Sequence, residues 1–75
     1  MKTERITFKL REGEDFIPLI QLLKATGVAY SGSEAQEMVV AGLVRRNGEV
    51  ELRKRAKITD SEIISFRDIE IKVVK

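Results

Sequence analysis

The chain has 75 residues, of which 43% are hydrophobic and 35% are charged, with 14 Lys and Arg against 12 Asp and Glu. A chain of this length supports one small core, so we expect a single domain over residues 1–75 without a deep catalytic cleft. The lack of cysteine excludes a disulfide framework and thiol chemistry, and it favours a cytoplasmic location. No apolar run approaches the roughly 20 residues that span a bilayer, and no signal peptide is recognisable, so we expect no membrane partner.

A strand and a helix are predicted first, separated by a turn over residues 11–14. The strand follows from alternation of apolar residues at Ile6, Phe8 and Leu10. Asp15 is a typical N-cap, and Pro18 would then lie in the first helical turn, where its missing N–H costs nothing. One helical face carries Phe16, Leu19, Ile20 and Leu23. Gly27 suits the left-handed position that ends such a helix.

A second helix is predicted from Ser31 to Gly42. Ser31 and Glu34 have the spacing of a capping box, and Ser33 with Gln36 offers a second register. The apolar face consists of Ala35, Met38 and Val39. Two short helices joined by about four residues are expected to pack against each other.

A hairpin is predicted after the second helix. The Asn47–Gly48 pair favours a two-residue type I′ turn. In that register Arg46 lies opposite Glu49, and Arg45 lies opposite Val50. An irregular basic stretch over residues 53–57 follows.

The chain then alternates again, and a strand with Ile64 and Phe66, a turn at Arg67–Asp68 and a last strand are predicted. The last strand has its apolar residues at Ile69, Ile71 and Val73. Phe8, Phe16 and Phe66 all fit the apolar pattern and are predicted core residues. The fold class is therefore α+β, with two short antiparallel helices packed on a small, mostly antiparallel β-sheet.

Positive charge is concentrated in one segment. Between Leu43 and Lys57 there are six basic and two acidic residues, a local charge of +4, whereas the rest of the chain carries −2. The basic residues are Arg45, Arg46, Arg53, Lys54, Arg55 and Lys57. Such a patch is typical of a protein with a polyanionic partner, since Lys and Arg release counterions when they neutralise phosphates.

The order of these features over residues 16–66 resembles the RNA-binding domain of small-subunit ribosomal protein S4 and its relatives. The matching positions are Leu22–Leu23, Gly27, Ser31, Ala35, Gly42, Val44, Asn47–Gly48 and Ile58. The sequence is similar in particular to short stand-alone bacterial members, through the run Asn-Gly-Glu-Val-Glu-Leu-Arg-Lys-Arg-Ala-Lys-Ile over residues 47–58.

This resemblance implies non-catalytic binding of structured RNA, ribosomal or transfer RNA, through the second helix and the hairpin. Gly32 stands where many members have Arg, and Glu34 and Glu37 stand where many have basic residues. The implied partners are RNA and a ribosome, and we expect a monomer. The implied RNA contacts are Arg45, Arg46, Arg53, Lys54, Arg55 and Lys57, with secondary contacts through Lys24 or Ser33.

Other interpretations of these residues stay open. Glu49 and Glu51 could pair with Arg46 and Arg53 on a solvated strand, and an extended backbone would place Arg53, Arg55 and Lys57 on one side. The turn over residues 31–33 favours capping over anion binding, because Glu34 and Glu37 would repel an anion. Tyr30 could stack on a base, although a residue before a cap more commonly packs against the helix start.

Catalysis has little basis in this sequence. The chain lacks His and Cys, and its five glycines are scattered, so neither a nucleophile–base pair nor a phosphate-binding loop is present. We expect no enzyme activity, no cofactor and no metal site. The alternative function is a protein-interaction module that docks an acidic partner or accepts a strand at an exposed edge over residues 69–74.

Overall fold

A computed structural model describes residues 2–75, which form seven strands and two helices. In chain order these are β1 (Glu4–Lys9), β2 (Ile17–Pro18), α1 (Leu19–Ala25), α2 (Gly32–Val40), β3 (Val44–Arg46), β4 (Glu49–Val50), β5 (Lys57–Ile58), β6 (Ile63–Phe66) and β7 (Ile69–Val74). No helix within the described residues is long and apolar enough to cross a membrane.

The main sheet has the strand order β1-β7-β6-β3-β4. Only β1 and β7 run parallel, and the other neighbours in this sheet are antiparallel. Strands β2 and β5 form a separate antiparallel pair. The predicted α+β class with a mostly antiparallel sheet is therefore confirmed.

The last strand, β7, lies inside the sheet. It pairs with β1 from Glu4↔Ile69 to Lys9↔Val74, and with β6 on its other side. The prediction of an exposed edge over residues 69–74 is wrong, because the first strand of the chain returns to cover that edge. The open edges of this sheet belong to β1 and β4 instead.

The core lies between the helices and one face of the sheet. Its largest fully buried side chains are Leu19, Leu22, Leu23, Val39, Val44, Ile58, Ile64, Ile71 and Val73. The alternation of β7 and the apolar face of α2 are thus confirmed, whereas the predicted face of α1 is confirmed at Leu19 and Leu23 and is joined by the buried Leu22. Burial of this apolar surface is the main favourable contribution to folding.

Helix α1 begins later than predicted. Its N-cap is Pro18, and Asp15 lies outside the helix, exposed, with Oδ1 3.8 Å from the Lys75 Nζ. The free N–H groups at the helix start bond to a distant segment: the Leu19 N–H donates to the Ala56 carbonyl (2.9 Å) and the Ile20 N–H to the Lys54 carbonyl (3.2 Å). Because residues 54–56 satisfy these donors, a local side-chain cap is not needed.

Phe16 is also placed differently from the prediction. Since the helix starts at Leu19, Phe16 does not share its buried face, and 38% of the residue is exposed. The Lys57 Nζ lies 5.1 Å from the centroid of its ring. Phe8 and Phe66 pack against the core as predicted, but Phe16 is a surface residue next to the basic segment.

Helix α2 has the predicted N-terminal cap. The Ser31 Oγ accepts from the Glu34 N–H at 3.2 Å, and the Glu34 carboxylate accepts from the Tyr30 N–H at 3.3 Å. Of the two predicted registers, the one that begins at Ser31 is formed. After the helix, Gly42 adopts φ +76°, a left-handed conformation that suits glycine.

The hairpin between β3 and β4 has the predicted register, with Arg46 opposite Glu49 and Arg45 opposite Val50. Asn47 and Gly48 both have positive φ (52° and 87°), as a type I′ turn requires. Asn47 also fixes the hairpin to β6, since its N–H donates to the Ile63 carbonyl and its Oδ1 accepts from the Ile63 N–H.

Candidate nucleic-acid interface

The basic cluster divides into two parts with different surroundings. We call Arg46, Glu51 and Glu62 the stem network, since Arg46 lies on β3 of the hairpin stem. We call residues 53–57 the basic turn. Glu51 is the buried charged residue among residues 2–75, with 7% of its surface exposed, whereas Arg53, Lys54, Arg55 and Lys57 are all exposed.

Arg46 uses most of its donors inside the protein. Its Nε and Nη2 donate to the two carboxylate oxygens of Glu62 at 2.9 and 3.0 Å. Its Nη1 donates to the Glu51 Oε1 at 3.3 Å, and its Nη2 also donates to the Lys57 carbonyl at 2.9 Å. The predicted partner Glu49 is its backbone neighbour, but Glu51 and Glu62 hold its guanidinium. Four of its five N–H donors are used in this way.

Both carboxylates of the stem network have lowered pKa values. Side-chain hydrogen bonds from Arg53 lower the pKa of Glu51 to about 2, against the effect of burial, and Arg46 contributes to the same shift. Burial alone would raise the pKa of Glu62, but hydrogen bonds from the Thr59 backbone and from Arg46 outweigh it and lower the pKa. These carboxylates therefore stay negatively charged at neutral pH.

The basic turn is held in a bent conformation. The Ala56 N–H donates to the Arg53 carbonyl at 3.1 Å, so the chain reverses at Lys54 and Arg55. The extended backbone considered for residues 53–57 is not formed. Buried Ala56 and the two bonds from the α1 N-terminus fix the turn against the core. This anchoring gives the exposed basic side chains a rigid base.

Arg53, Arg55 and Lys57 line one surface depression together with Arg46 and Ala56. Arg53 pairs with Glu51, as one of the open interpretations had it, through Nε to Oε2 and Nη2 to Oε1, both at 3.1 Å. Its side chain nevertheless stays 75% exposed. The turn thus presents several positive charges at one place on the surface.

The other predicted contacts lie around this centre or apart from it. Arg45 is exposed on β3, and its Nη1 donates to the Gly48 carbonyl at 3.3 Å. Ser33 is exposed in the first turn of α2. Lys24 lines a different depression, with Lys9 and Arg11 among its neighbours. The structure therefore groups the residues of the basic turn and leaves Lys24 outside that group.

Two aromatic residues gain a new interpretation from the structure. Tyr30 is 94% exposed just before α2, so the prediction that it packs against the helix start is wrong. Phe16 lies beneath Lys57 at the border of the basic turn, where sequence analysis did not place it. The pattern of apolar residues could not reveal this position, because it depends on the pairing of β2 with β5.

Comparison with known proteins assigns the family. The sequence model of the S4 domain matches residues 8–74. This chain belongs to the S4 domain family. The match extends beyond the segment 16–66 that carried the resemblance and includes the last two residues of β1 and all of β7. The family is one of RNA-binding domains and is not an enzyme family.

Curated relatives and a solved structure agree with this S4 assignment. The chain is 38% identical over 58 residues to "Putative RNA-binding protein YbcJ" of Escherichia coli (strain K12), which covers 77% of this chain and 83% of that protein. "Uncharacterized protein YbcJ" of Shigella flexneri matches to the same extent. The solution structure of E. coli YbcJ superposes with a TM-score of 0.71 at 36% identity, covering 92% of this chain and 86% of that one. That structure is described as revealing an αL motif involved in RNA binding.

Proposed function

We propose that this S4 domain binds structured RNA of the ribosomal or transfer RNA class through the basic turn. The observation that carries the proposal is the placement of exposed Arg53, Lys54, Arg55 and Lys57 on a turn that is anchored to the N-terminus of α1. Arg45 extends this surface along the hairpin. A-form RNA presents closely spaced phosphates and 2′-hydroxyls, which match a cluster of guanidinium and ammonium donors.

Arg46 has a structural role in this proposal. Its side chain is 23% exposed, and the carboxylates of Glu51 and Glu62 compensate its charge. A phosphate would have to compete with both carboxylates for this guanidinium. The RNA-binding residues are therefore the exposed members of the cluster, and Ser33 and Lys24 are peripheral contacts. The protein would bind its RNA in the cytoplasm or on a ribosome.

Tyr30 supplies a second kind of contact in the same proposal. An almost fully exposed tyrosine contributes little to the core, and a phenol ring on the surface can stack on a base that is not paired. Its position before the capped start of α2 fixes its backbone through the Tyr30–Glu34 hydrogen bond. Stacking there would add recognition of an unpaired base to the phosphate contacts of the basic turn.

The proposal is tested by binding of bulk transfer RNA and ribosomal RNA fragments across a salt series. Contacts to three to five phosphates give a log–log slope of about −3 to −4. The double variant Lys54→Ala/Arg55→Ala should bind weakly and show a slope smaller in magnitude by about 1.5, because two phosphate contacts are lost.

The matched control is the double variant Arg5→Ala/Lys72→Ala. It removes the same charge from β1 and β7, at the end of the sheet opposite to the hairpin. Retained affinity in the control supports the assigned surface. Equal losses in both variants would contradict it, since only the net charge would then matter. Undetectable RNA binding by the unmodified protein would instead favour the acidic protein partner.

A further inference from the structure

Glu51 is an acidic residue at the centre of the basic cluster. By charge alone, a carboxylate next to a phosphate-binding surface weakens RNA binding through repulsion. Its burial and its contacts indicate a different effect. Among the described residues, every buried side-chain oxygen and nitrogen has a hydrogen-bond partner, and the partners of Glu51 are mainly on Arg53.

The Glu51 carboxylate contacts Arg53 at three points. Its Oε2 accepts from the Arg53 backbone N–H and from the Arg53 Nε, both at 3.1 Å. Its Oε1 accepts from the Arg53 Nη2 at 3.1 Å. A guanidinium held through Nε and one Nη nitrogen in this way is fixed in plane, and its other N–H groups stay unused. The arginine is thus immobilised while most of its side chain remains exposed.

Glu51 is itself fixed by β3 and by Arg46. Its backbone N–H donates to the Val44 carbonyl at 3.0 Å, and its Oε1 accepts from the Arg46 Nη1. Arg46 is in turn held by both oxygens of Glu62. Charged groups therefore connect the turn before β6, strand β3 and the basic turn in the order Glu62, Arg46, Glu51 and Arg53.

We propose that Glu51 is a positioning residue that fixes Arg53 for contact with an RNA phosphate, so that this negative charge strengthens RNA binding. This inference rests on the proposed function and states how one of the proposed RNA contacts is positioned before RNA binds. Long side chains lose conformational entropy when they bind, and an arginine that is already fixed loses less. Arg55 and Lys54 have no carboxylate within ion-pair distance among residues 2–75, so this preparation is specific to Arg53.

The test compares Glu51→Gln with Glu49→Gln. Both changes add the same charge to the cluster, but Glu49 is exposed on β4 and does not hold Arg53. We expect transfer RNA to bind Glu49→Gln as tightly as the unmodified protein or about twofold more tightly. Glu51→Gln should bind about fivefold more weakly, with a salt slope smaller in magnitude by about 0.8, because one phosphate contact is lost. Equal or tighter binding by Glu51→Gln than by Glu49→Gln overturns the proposal.

The Arg53→Ala background separates positioning from a general effect on the fold. Adding Glu51→Gln to Arg53→Ala should cause no further loss of affinity, because the residue that Glu51 positions is already absent. A further loss of about fivefold in that background would show that Glu51 acts through the fold, and it would refute the positioning role.

Side-chain NMR of the unmodified protein gives a measurement that needs neither RNA nor a folded variant. The Nε–H group of Arg53 should have a high order parameter, whereas that of Arg55 should be mobile. Equal mobility of the two would overturn the inference. If the unmodified protein binds no RNA while Arg53 is rigid, the proposed function is wrong. Glu51 would then fix Arg53 for a reason other than RNA binding.

Discussion

The hairpin and the basic turn lie close together in the sequence and both carry arginines, yet these arginines have different environments. Arg46 is mostly covered and is held by two carboxylates, whereas Arg55 and Lys54 are exposed and have no such partners among residues 2–75. Arg53 lies between these extremes, exposed but paired. The difference shows that net charge alone does not identify a binding surface. The exposure of each guanidinium and the number of its donors that are already used separate the structural arginines from the binding ones.

The largest expected effect comes from breaking the stem network. Arg46→Met should lower the free energy of unfolding by about 3 kcal/mol, because it leaves the largely buried Glu62 without its arginine and removes one of the two arginines that bind Glu51. Chemical denaturation with urea at pH 7 measures this change. Arg55→Met is the matched control, and it should leave stability unchanged because Arg55 is exposed. Equal stability of the two variants would contradict the structural role that distinguishes Arg46 from the arginines of the basic turn.

A smaller effect is expected from acid. The pKa values of Glu51 and Glu62 are lowered in the folded protein, so their contribution to stability is complete above the unfolded pKa of about 4.5. It should be lost as the pH falls from there through about 2, where Glu51 becomes protonated. Urea denaturation at pH 6, 4 and 3 measures the loss. Glu51→Gln should flatten this dependence, and an unchanged pH profile in that variant would contradict the assignment.

The smallest expected effect tests whether recognition extends beyond the basic turn. Tyr30→Ala should weaken RNA binding about fivefold without changing the salt slope, because stacking on a base releases no counterions. Stability should stay the same, since Tyr30 is almost fully exposed. Tyr30→Phe is the control, and it should retain binding because the ring is kept. Unchanged affinity in Tyr30→Ala would confine the interface to the basic turn, whereas a reduced salt slope would show that Tyr30 supports phosphate contacts and would contradict stacking.

Local patterns determined much of this fold by themselves. The Asn47–Gly48 turn allows only a narrow range of backbone conformations, so the register of β3 and β4 followed from two residues. The capped start of α2 and the alternation of β7 were equally readable, because their causes lie within a few residues. The basic cluster and its family resemblance were visible for the same reason, since they lie in one continuous segment.

Tertiary structure decided what depends on contacts between distant segments. The start of α1 was predicted at Asp15 because a local cap was sought, but residues 54–56 supply the carbonyls that satisfy its free N–H groups. The same contact anchors the basic turn, and the late start of α1 leaves Phe16 outside the helix and partly exposed. Strand β1 pairs with β7, so the edge that was predicted to be open over residues 69–74 is covered. The separation of Arg46 from Arg53 and Arg55 also depends on burial, because a charge becomes structural only where the fold surrounds it with partners.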